Sequence, residues 1–239
     1  MKLKTTSEKG GKIRISEIFS SIQGEGLLSG TASAFVRTSG CNLRCWFCDT
    51  RYASWEPEGE FLSIDDIAER AHQLNQTHIV LTGGEPMIYA QIDQLCECLK
   101  RNGAHLTIET AGTMYRSLPC DLMSISPKLS NSTPSENSSS WRRNHEQRRQ
   151  RSDVVRQLIA EHNYQLKFVV DSLSDCEEIL DYLEQLGAAD PGRVLAMPQG
   201  TSVRELSEKK SWLESWCHEH KIRYCPRSHI EWFGNRRGT

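Results

Sequence analysis

The chain has 239 residues, 37% of them hydrophobic and 25% charged, which is enough apolar material for a packed core and excludes a wholly disordered chain. Lysine and arginine number 29 against 31 aspartates and glutamates, a net charge of −2, which argues against a surface devoted to nucleic acid or to a membrane. No apolar run reaches the roughly twenty residues of a membrane span; the opening MKLKTTSEKGGK has no apolar stretch behind its basic residues, so the sequence predicts a cytoplasmic protein without a secretory signal.

In chain order, residues 1–12 are polar and glycine-containing and predict a flexible arm ahead of a single domain over 13–239. Strand candidates follow at 34–38 (AFVRT), 78–82 (HIVLT), 105–110 (HLTIET), 121–126 (DLMSIS), 165–170 (QLKFVV) and 193–197 (RVLAM). Helical periodicity falls between them at 63–75, 89–102, 153–162, 172–186 and 203–220. The first of these shows the logic. Ser63 caps, Asp65 and Asp66 occupy the favourable first turn, and Ile64, Ile67, Ala71 and Leu74 recur on one face. Strands alternating with helices imply an α/β fold with a mainly parallel sheet. About six strands are too few for a closed eight-stranded barrel, and the ten residues 111–120, with Pro119 among them, leave no room for a full crossover helix. The expectation is a partial, open (β/α) barrel with a reduced helix complement.

One stretch interrupts the alternation. Residues 130–140 (SNSTPSENSSS) hold six serines, and 141–151 (WRRNHEQRRQR) hold five arginines against one glutamate. This 130–151 insertion reads as a solvated loop running into an exposed helix start.

The nine cysteines are unevenly placed. Cys96, Cys98, Cys120, Cys176, Cys217 and Cys225 are scattered and read as small buried hydrophobes or idle thiols. Cys41, Cys45 and Cys48 crowd the segment GCNLRCWFCDT (40–50) directly after a strand candidate. Structural zinc normally needs four ligands, usually as two C-x2-C pairs, and no second C-x2-C pair exists; His72 and His78 lie on other elements. A 4Fe–4S cluster on three cysteines instead leaves one iron open for chemistry. The spacing C-x3-C-x2-C with Phe47 before the last cysteine resembles the radical S-adenosylmethionine (SAM) superfamily. LTGGEP (81–86) supports this: its glycines let backbone groups approach a ligand, Glu85 can stabilise an amino group, and it is similar to the superfamily segment that holds the SAM methionine.

IFSSIQGEGLLSG (18–30), AFVRTSG (34–40), CDT (48–50), ETAGT (109–113), SPKL (126–129) and the terminal HIEWFGNRRGT closely resemble the 7-carboxy-7-deazaguanine synthase family, from about Ile15 to the C-terminus. The resemblance implies a carbon–nitrogen lyase that converts 6-carboxy-5,6,7,8-tetrahydropterin to 7-carboxy-7-deazaguanine and ammonia, on the route to queuosine and other deazapurines of tRNA. It implies a 4Fe–4S cluster, SAM and Mg2+ as cofactors, an electron donor such as flavodoxin, and a homodimer. It places the cluster on Cys41, Cys45 and Cys48, Mg2+ on Thr50, and SAM against Phe47, Cys48, Asp49, Gly84, Ser126, Pro127, Lys128 and Gln199. Ile22, Gln23, Gly24, Arg37, Thr82, His229 and Thr239 then meet the pterin, Arg37 through a guanidinium fork on its carboxylate.

Two other readings compete. A glycyl-radical enzyme activase shares the cysteine spacing, but the polar IQGEG and Arg37 segments suit a small molecule. A metal-stabilised RNA-binding module would use the arginine run with Trp141 as a stacking platform, against the near-neutral net charge.

Overall fold

The computed structural model describes residues 11–136, 139–187 and 189–239. The first ten residues of the expected arm lie outside this range; its last, Lys12, pairs with Ser63 and already belongs to the sheet. Nine strands form that sheet: β1 (Lys12–Ile22), β2 (Ala32–Thr38), β3 (Glu60–Ser63), β4 (His78–Gly83), β5 (His105–Thr110), β6 (Leu122–Ile125), β7 (Tyr164–Val170), β8 (Val194–Pro198) and β9 (Arg223–Tyr224). Their order is β3-β1-β2-β4-β5-β6-β7-β8-β9. β1 is antiparallel to both of its neighbours, and every pair from β2 through β9 is parallel. β3 and β9 stand unjoined at the two ends, so the barrel is open, as expected.

All six expected strands are present. β1, β3 and β9 were not anticipated. β1 carries a register shift between Ile15 and Glu17, and this bulge breaks the period-two alternation that would mark it as a strand. β3 and β9 have four and two residues, too short for periodicity to register.

The helices are α1 (Arg51–Ser54), α2 (Ile64–Gln73), α3 (Ile92–Leu99), α4 (Ser139–Arg149), α5 (Ser152–Glu161), α6 (Leu173–Leu186), α7 (Val203–Glu219) and α8 (Ser228–Phe233). Ser63 accepts a hydrogen bond from the Asp66 amide at the start of α2, and α7 opens with a reciprocal Ser202–Glu205 capping box. β5 runs to β6 with no helix between them, and none of the helices among the described residues is long and apolar enough to cross a membrane.

Alternate strand residues divide the labour. Ile79, Leu81, Leu106, Ile108, Met123, Ile125, Leu166 and Phe168 face the helices and build one core with Ile67, Leu95, Leu158, Ile179 and Leu213. The opposite parity carries His78, Thr82, Thr107, Glu109, Ser124, Gln165 and Lys167, a polar interior that a pleated strand presents automatically once its other face is buried.

The serine–arginine insertion is a correction. Its outer side is exposed, but residues 139–149 form α4, and the inner side of α4 packs on the cysteine loop. His145 is fully buried, and the Arg44 guanidinium sits 4.0 Å from the Trp141 ring centroid.

His78 shows how the polar interior is satisfied. Ser33 Oγ donates to Thr31 O, so it accepts from His78 Nδ1 at 2.6 Å, and Nε2 accepts from Thr107 Oγ1 at 2.8 Å. Burial, reinforced by the nearby His105 ring, pushes the imidazole down from 6.5 to about 4. Between those values the unfolded chain binds a proton that the folded chain refuses, so this stabilisation is complete above pH 6.5 and lost as pH falls towards 4. Denaturant titrations across this window should show stability dropping with pH, with a shallower drop in His78→Gln; equal slopes would remove His78 from the effect.

Candidate active site

The C-terminal ends of the parallel strands converge on a cavity of about 490 Å3, the place where α/β sheets of this kind keep ligands. The cysteine loop that follows β2 supplies one wall: Cys41, Cys45, Phe47, Cys48, Asp49 and Thr50 all line it. Thr82, Gly84, Ser126, Lys128 and Gln199 line it from the strand ends, and Ile22, Gln23, Gly24, Arg37, His229 and Thr239 complete it. Of the expected site residues only Pro127 does not reach the cavity; it is buried behind the turn that presents Ser126 and Lys128. Lys128 Nζ folds back on that turn, donating to Ser126 O and Oγ at 2.7 Å.

The cysteine loop rests on the GGEP segment. Gly84 N donates to Thr38 O at 3.1 Å, Glu85 N to Gly40 O at 2.9 Å, and Gly40 N to Ala53 O at 2.7 Å. A Cβ on Gly84 would stand 2.1 Å from Gly40 O and 2.5 Å from Ala53 O. The Gly84 position is therefore glycine because loop backbone packs against it, a reason that spacing alone does not reveal. Glu85 is a second correction. It is fully buried, and its carboxylate accepts from Met87 N, Thr110 Oγ1 and Ala111 N at 3.1, 2.9 and 2.8 Å. It joins the β4 and β5 ends and has no share in the cavity wall. Burial raises its pKa against those three bonds.

Cys41, Cys45 and Cys48 present three thiols to one cavity, a donor set that suits a 4Fe–4S cluster with one iron left open. Burial pushes Cys41 and Cys45 up to about 12, so both thiols stay protonated until iron displaces the proton. Cys48 Sγ lies 3.1 Å from Ser54 Oγ and 3.7 Å from Thr50 Oγ1. Thr50 is the residue before α1, yet its hydroxyl makes no capping bond and faces the cavity.

The deepest part of the cavity is charged, and most of it was not anticipated. Lys167, on β7, donates to Glu25 at 2.9 Å and to Glu109 at 3.4 Å. Arg227 donates to Glu25 at 3.1 Å, to Asp49 and to Gly200 O. Gln23 and Thr82 both donate to Glu109, at 3.3 and 2.8 Å. Burial alone would raise the Glu25 carboxyl, but Lys167, Arg227 and His229 outweigh it and hold it well below the usual range. Burial likewise works against the Lys167 ammonium, which Glu109 and Glu25 hold charged well above its ordinary value. Lys167 was visible as the one charge in an apolar strand, QLKFVV, and Glu25 and Glu109 lie inside IQGEG and ETAGT without a role assigned to them; Arg227 carries no such mark.

Arg37 stands beside the cavity but is not a free fork. Its Nε donates to Glu17 at 2.6 Å, and Tyr52 OH donates to the same oxygen at 2.6 Å. Only the Nη edge remains, with no hydrogen bond to another described residue. Gly24 lies so close to His229 that an added Cβ would fall 2.6 Å from His229 Cβ, and Gly24 O accepts from Ser228 N at 3.0 Å.

The open sheet and the three-cysteine loop together define a radical SAM protein, and the Radical SAM superfamily model matches residues 35–156. Curated 7-carboxy-7-deazaguanine synthases are similar over nearly the whole chain. That of Rhodopirellula baltica is 48% identical over 227 residues, covering 94% of this chain and 88% of the relative. That of Halobacterium salinarum is 43% identical over 232 residues, covering 92% and 90%. Among solved structures, QueE from Escherichia coli shares the fold with a TM-score of 0.64 at 21% identity, covering 90% of this chain and 93% of that one. SuiB from Streptococcus suis does so at 0.55 and 12%, covering 79% and 47%. The chain belongs to the 7-carboxy-7-deazaguanine synthase family, whose members are lyases, and its superfamily binds a 4Fe–4S cluster and SAM.

The Gly84 contact gives a test. Gly84→Ala must displace the cysteine loop, so the reconstituted protein should hold markedly less iron per chain than the native one. Gly192→Ala, whose methyl would meet only Asp190 Oδ1 at 3.3 Å, should load normally. Full iron content in Gly84→Ala would show that the loop tolerates the displacement.

Proposed function

We propose that the chain converts 6-carboxy-5,6,7,8-tetrahydropterin to 7-carboxy-7-deazaguanine and ammonia, in the cytoplasm and on the route to queuosine, with residues 13–239 acting as one unit. The observation that carries this is the meeting, in one cavity, of the cysteine loop with Gln23, Arg37, Glu109 and Lys167. Family membership supports it independently.

The donor set fits the expected cofactors. Cys41, Cys45 and Cys48 would hold three irons, while Phe47, Asp49, Gly84, Ser126, Lys128 and Gln199 would bound SAM. When bound, cluster and SAM together supply a 5′-deoxyadenosyl radical that abstracts hydrogen from the pterin, and the protein supplies position. Arg37 presents its Nη edge to the substrate carboxylate, held in orientation by Glu17. Gln23 and Glu109 offer a donor and an acceptor to the edge of a pterin ring. Lys167, with Arg227, keeps Glu25 ionised, so it remains an acceptor. Buried polar side chains already paired with one another reorganise little on binding, which excludes water and restrains side reactions. Thr50, whose hydroxyl makes no capping bond and lines the cavity beside Cys48, is suited to a magnesium ion that keeps several waters and shares the substrate carboxylate. A homodimer and a flavodoxin-type electron donor complete the proposal.

The rival readings lose support. An activase needs room for a protein chain, whereas this cavity is small and its innermost residues are charged. The RNA-binding reading needs Trp141 as a free platform, and Arg44 is already stacked on it.

Anaerobic reconstitution followed by assay with SAM, magnesium and the carboxytetrahydropterin tests the proposal. Cys41→Ala, Cys45→Ala and Cys48→Ala should each abolish turnover, Cys96→Ala and Cys176→Ala should leave it nearly intact, and Thr50→Val should blunt the response to magnesium with cluster content unchanged. No product from the fully loaded native protein would refute the assignment.

A second measurement isolates Arg37. Charge-assisted hydrogen bonds are worth about 1.5–3 kcal/mol each, so Arg37→Ala should weaken pterin binding by roughly ten- to a hundredfold. Arg37→Lys should rescue poorly, because lysine cannot engage Glu17 and the substrate as one planar fork. Calorimetry should find SAM affinity almost unchanged. Equal loss of both ligands would point to misfolding, and no loss of pterin binding would remove Arg37 from the site.

A further inference from the structure

We infer that α4 is a clamp on the cysteine loop and that His145 is the positioning residue that pins it. A loop that must present three thiols at once bears an entropic cost at every backbone bond left free. GGEP holds this loop only at Gly40, its entry. Further along, Asn42 Nδ2 donates to Thr113 Oγ1 at 2.9 Å and Trp55 Nε1 to Cys45 O at 2.9 Å. Arg227 holds Asp49 at the far end of the loop, and four more anchors come from the 130–149 stretch. Arg44 N donates to His145 Nδ1 at 3.1 Å, Trp46 N to Ser132 O at 3.2 Å, Trp46 Nε1 to Asn131 O at 2.6 Å, and Arg148 Nη1 to Asn42 O at 2.8 Å. Arg44 and Trp46 flank Cys45, so its two neighbouring amides are both taken by this stretch.

The hydrogen bonds settle which nitrogen of His145 carries the proton. A backbone N–H can only donate, so Nδ1 is the acceptor and Nε2 is protonated. Nε2–H then donates to Ser132 Oγ at 2.9 Å, and Ser132 Oγ donates onward to Leu129 O at 2.6 Å. His145 and Ser132 are both fully buried. Burial keeps the imidazole neutral against the nearby Glu146 carboxylate, with Arg149 and Lys128 acting in the same direction as burial. The chain Arg44–His145–Ser132–Leu129 thus runs in one direction with every donor used. All its members are protein atoms, so it needs no iron to form. A solvated arginine-rich helix has no reason to bury a histidine against the main chain of a cysteine loop; a clamp does.

This inference rests on the loop holding a cluster but not on the identity of the substrate. Its test is read first in the iron-free protein. In hydrogen exchange, His145→Ala should speed exchange of the Arg44 and Trp46 amides by about tenfold or more, with β5 and β7 amides unchanged. His145→Asn places Oδ1 where Nδ1 was and should restore protection of Arg44. After anaerobic reconstitution, the alanine variant should hold less iron and bleach faster in air, and the asparagine variant should recover towards native behaviour. Unchanged Arg44 exchange in His145→Ala, or loss of iron that His145→Asn does not rescue, would overturn the clamp and leave α4 as packing only. Should alanine unfold the chain, Ser132→Ala decides by the same readouts: it keeps the imidazole but removes the group that fixes its tautomer, and unchanged Arg44 exchange there would equally refute the inference. Failure of the pterin assay alone would bear on the proposed reaction and leave these readouts standing.

Discussion

An unclosed sheet needs something other than hydrogen-bonded strands to hold its two ends at a fixed separation, and here it is a line of charge. Asp49 on the cysteine loop, Arg227 before α8, Glu25 after β1, Lys167 on β7 and Glu109 on β5 alternate in sign across the interior. Lys167 and Arg227 are buried while Asp49 reaches the surface; burying the two cations is costly, and the carboxylates around them offset that cost. Lys167 and Arg227 each hold two carboxylates, so the loss of one carboxylate still leaves each cation a partner. The line therefore stabilises less than its bonds suggest and specifies more than they suggest: it fixes the cysteine loop relative to β7 and the C-terminal segment.

The strand members of that line, Glu109 and Lys167, lie on one parity of the strands, and the apolar core on the other. The same pleat that buries Leu106 and Ile108 towards the helices turns Thr107 and Glu109 inward. Fold and site are thus two readings of one alternation, which is why an error in register would destroy both together.

Much of this was legible in the sequence, for identifiable reasons. Six parallel strands announced themselves because each is an apolar run between turns, and the cysteine loop because its spacing leaves few alternatives. β1 was hidden by its bulge at Ile15–Glu17. α4 was hidden by composition, since its polarity spoke for solvent, and only the contact with Arg44 shows that Trp141 and His145 face inward. The charged line was invisible because Asp49 and Arg227 are 178 residues apart, and no local pattern connects them. Glu85 was misread for the opposite reason: it sits inside a motif, and motif membership says that a residue matters without saying whether it meets the ligand or the neighbouring strand.

The loop after β1 has a consequence of its own. Because β1 is antiparallel to β2, Ile22 lies beside Ala32, at the end of the sheet opposite the cysteines. From there the chain crosses the interior, Gln23 meeting Glu109, Leu27 N meeting Gln165 Oε1 at 2.7 Å, and Gly26 N meeting Cys225 Sγ at 3.1 Å. Closed barrels fill this space with layers of strand side chains; here a single connecting segment serves as the floor. The depth of the chamber is consequently set by a loop, which tolerates insertion and exchange far more readily than a strand does. Ligand length and radical machinery are governed by opposite ends of the molecule, so a shallower or deeper chamber can arise by rewriting residues 26–31 while Glu25, and through Arg227 the cysteine loop, is left untouched.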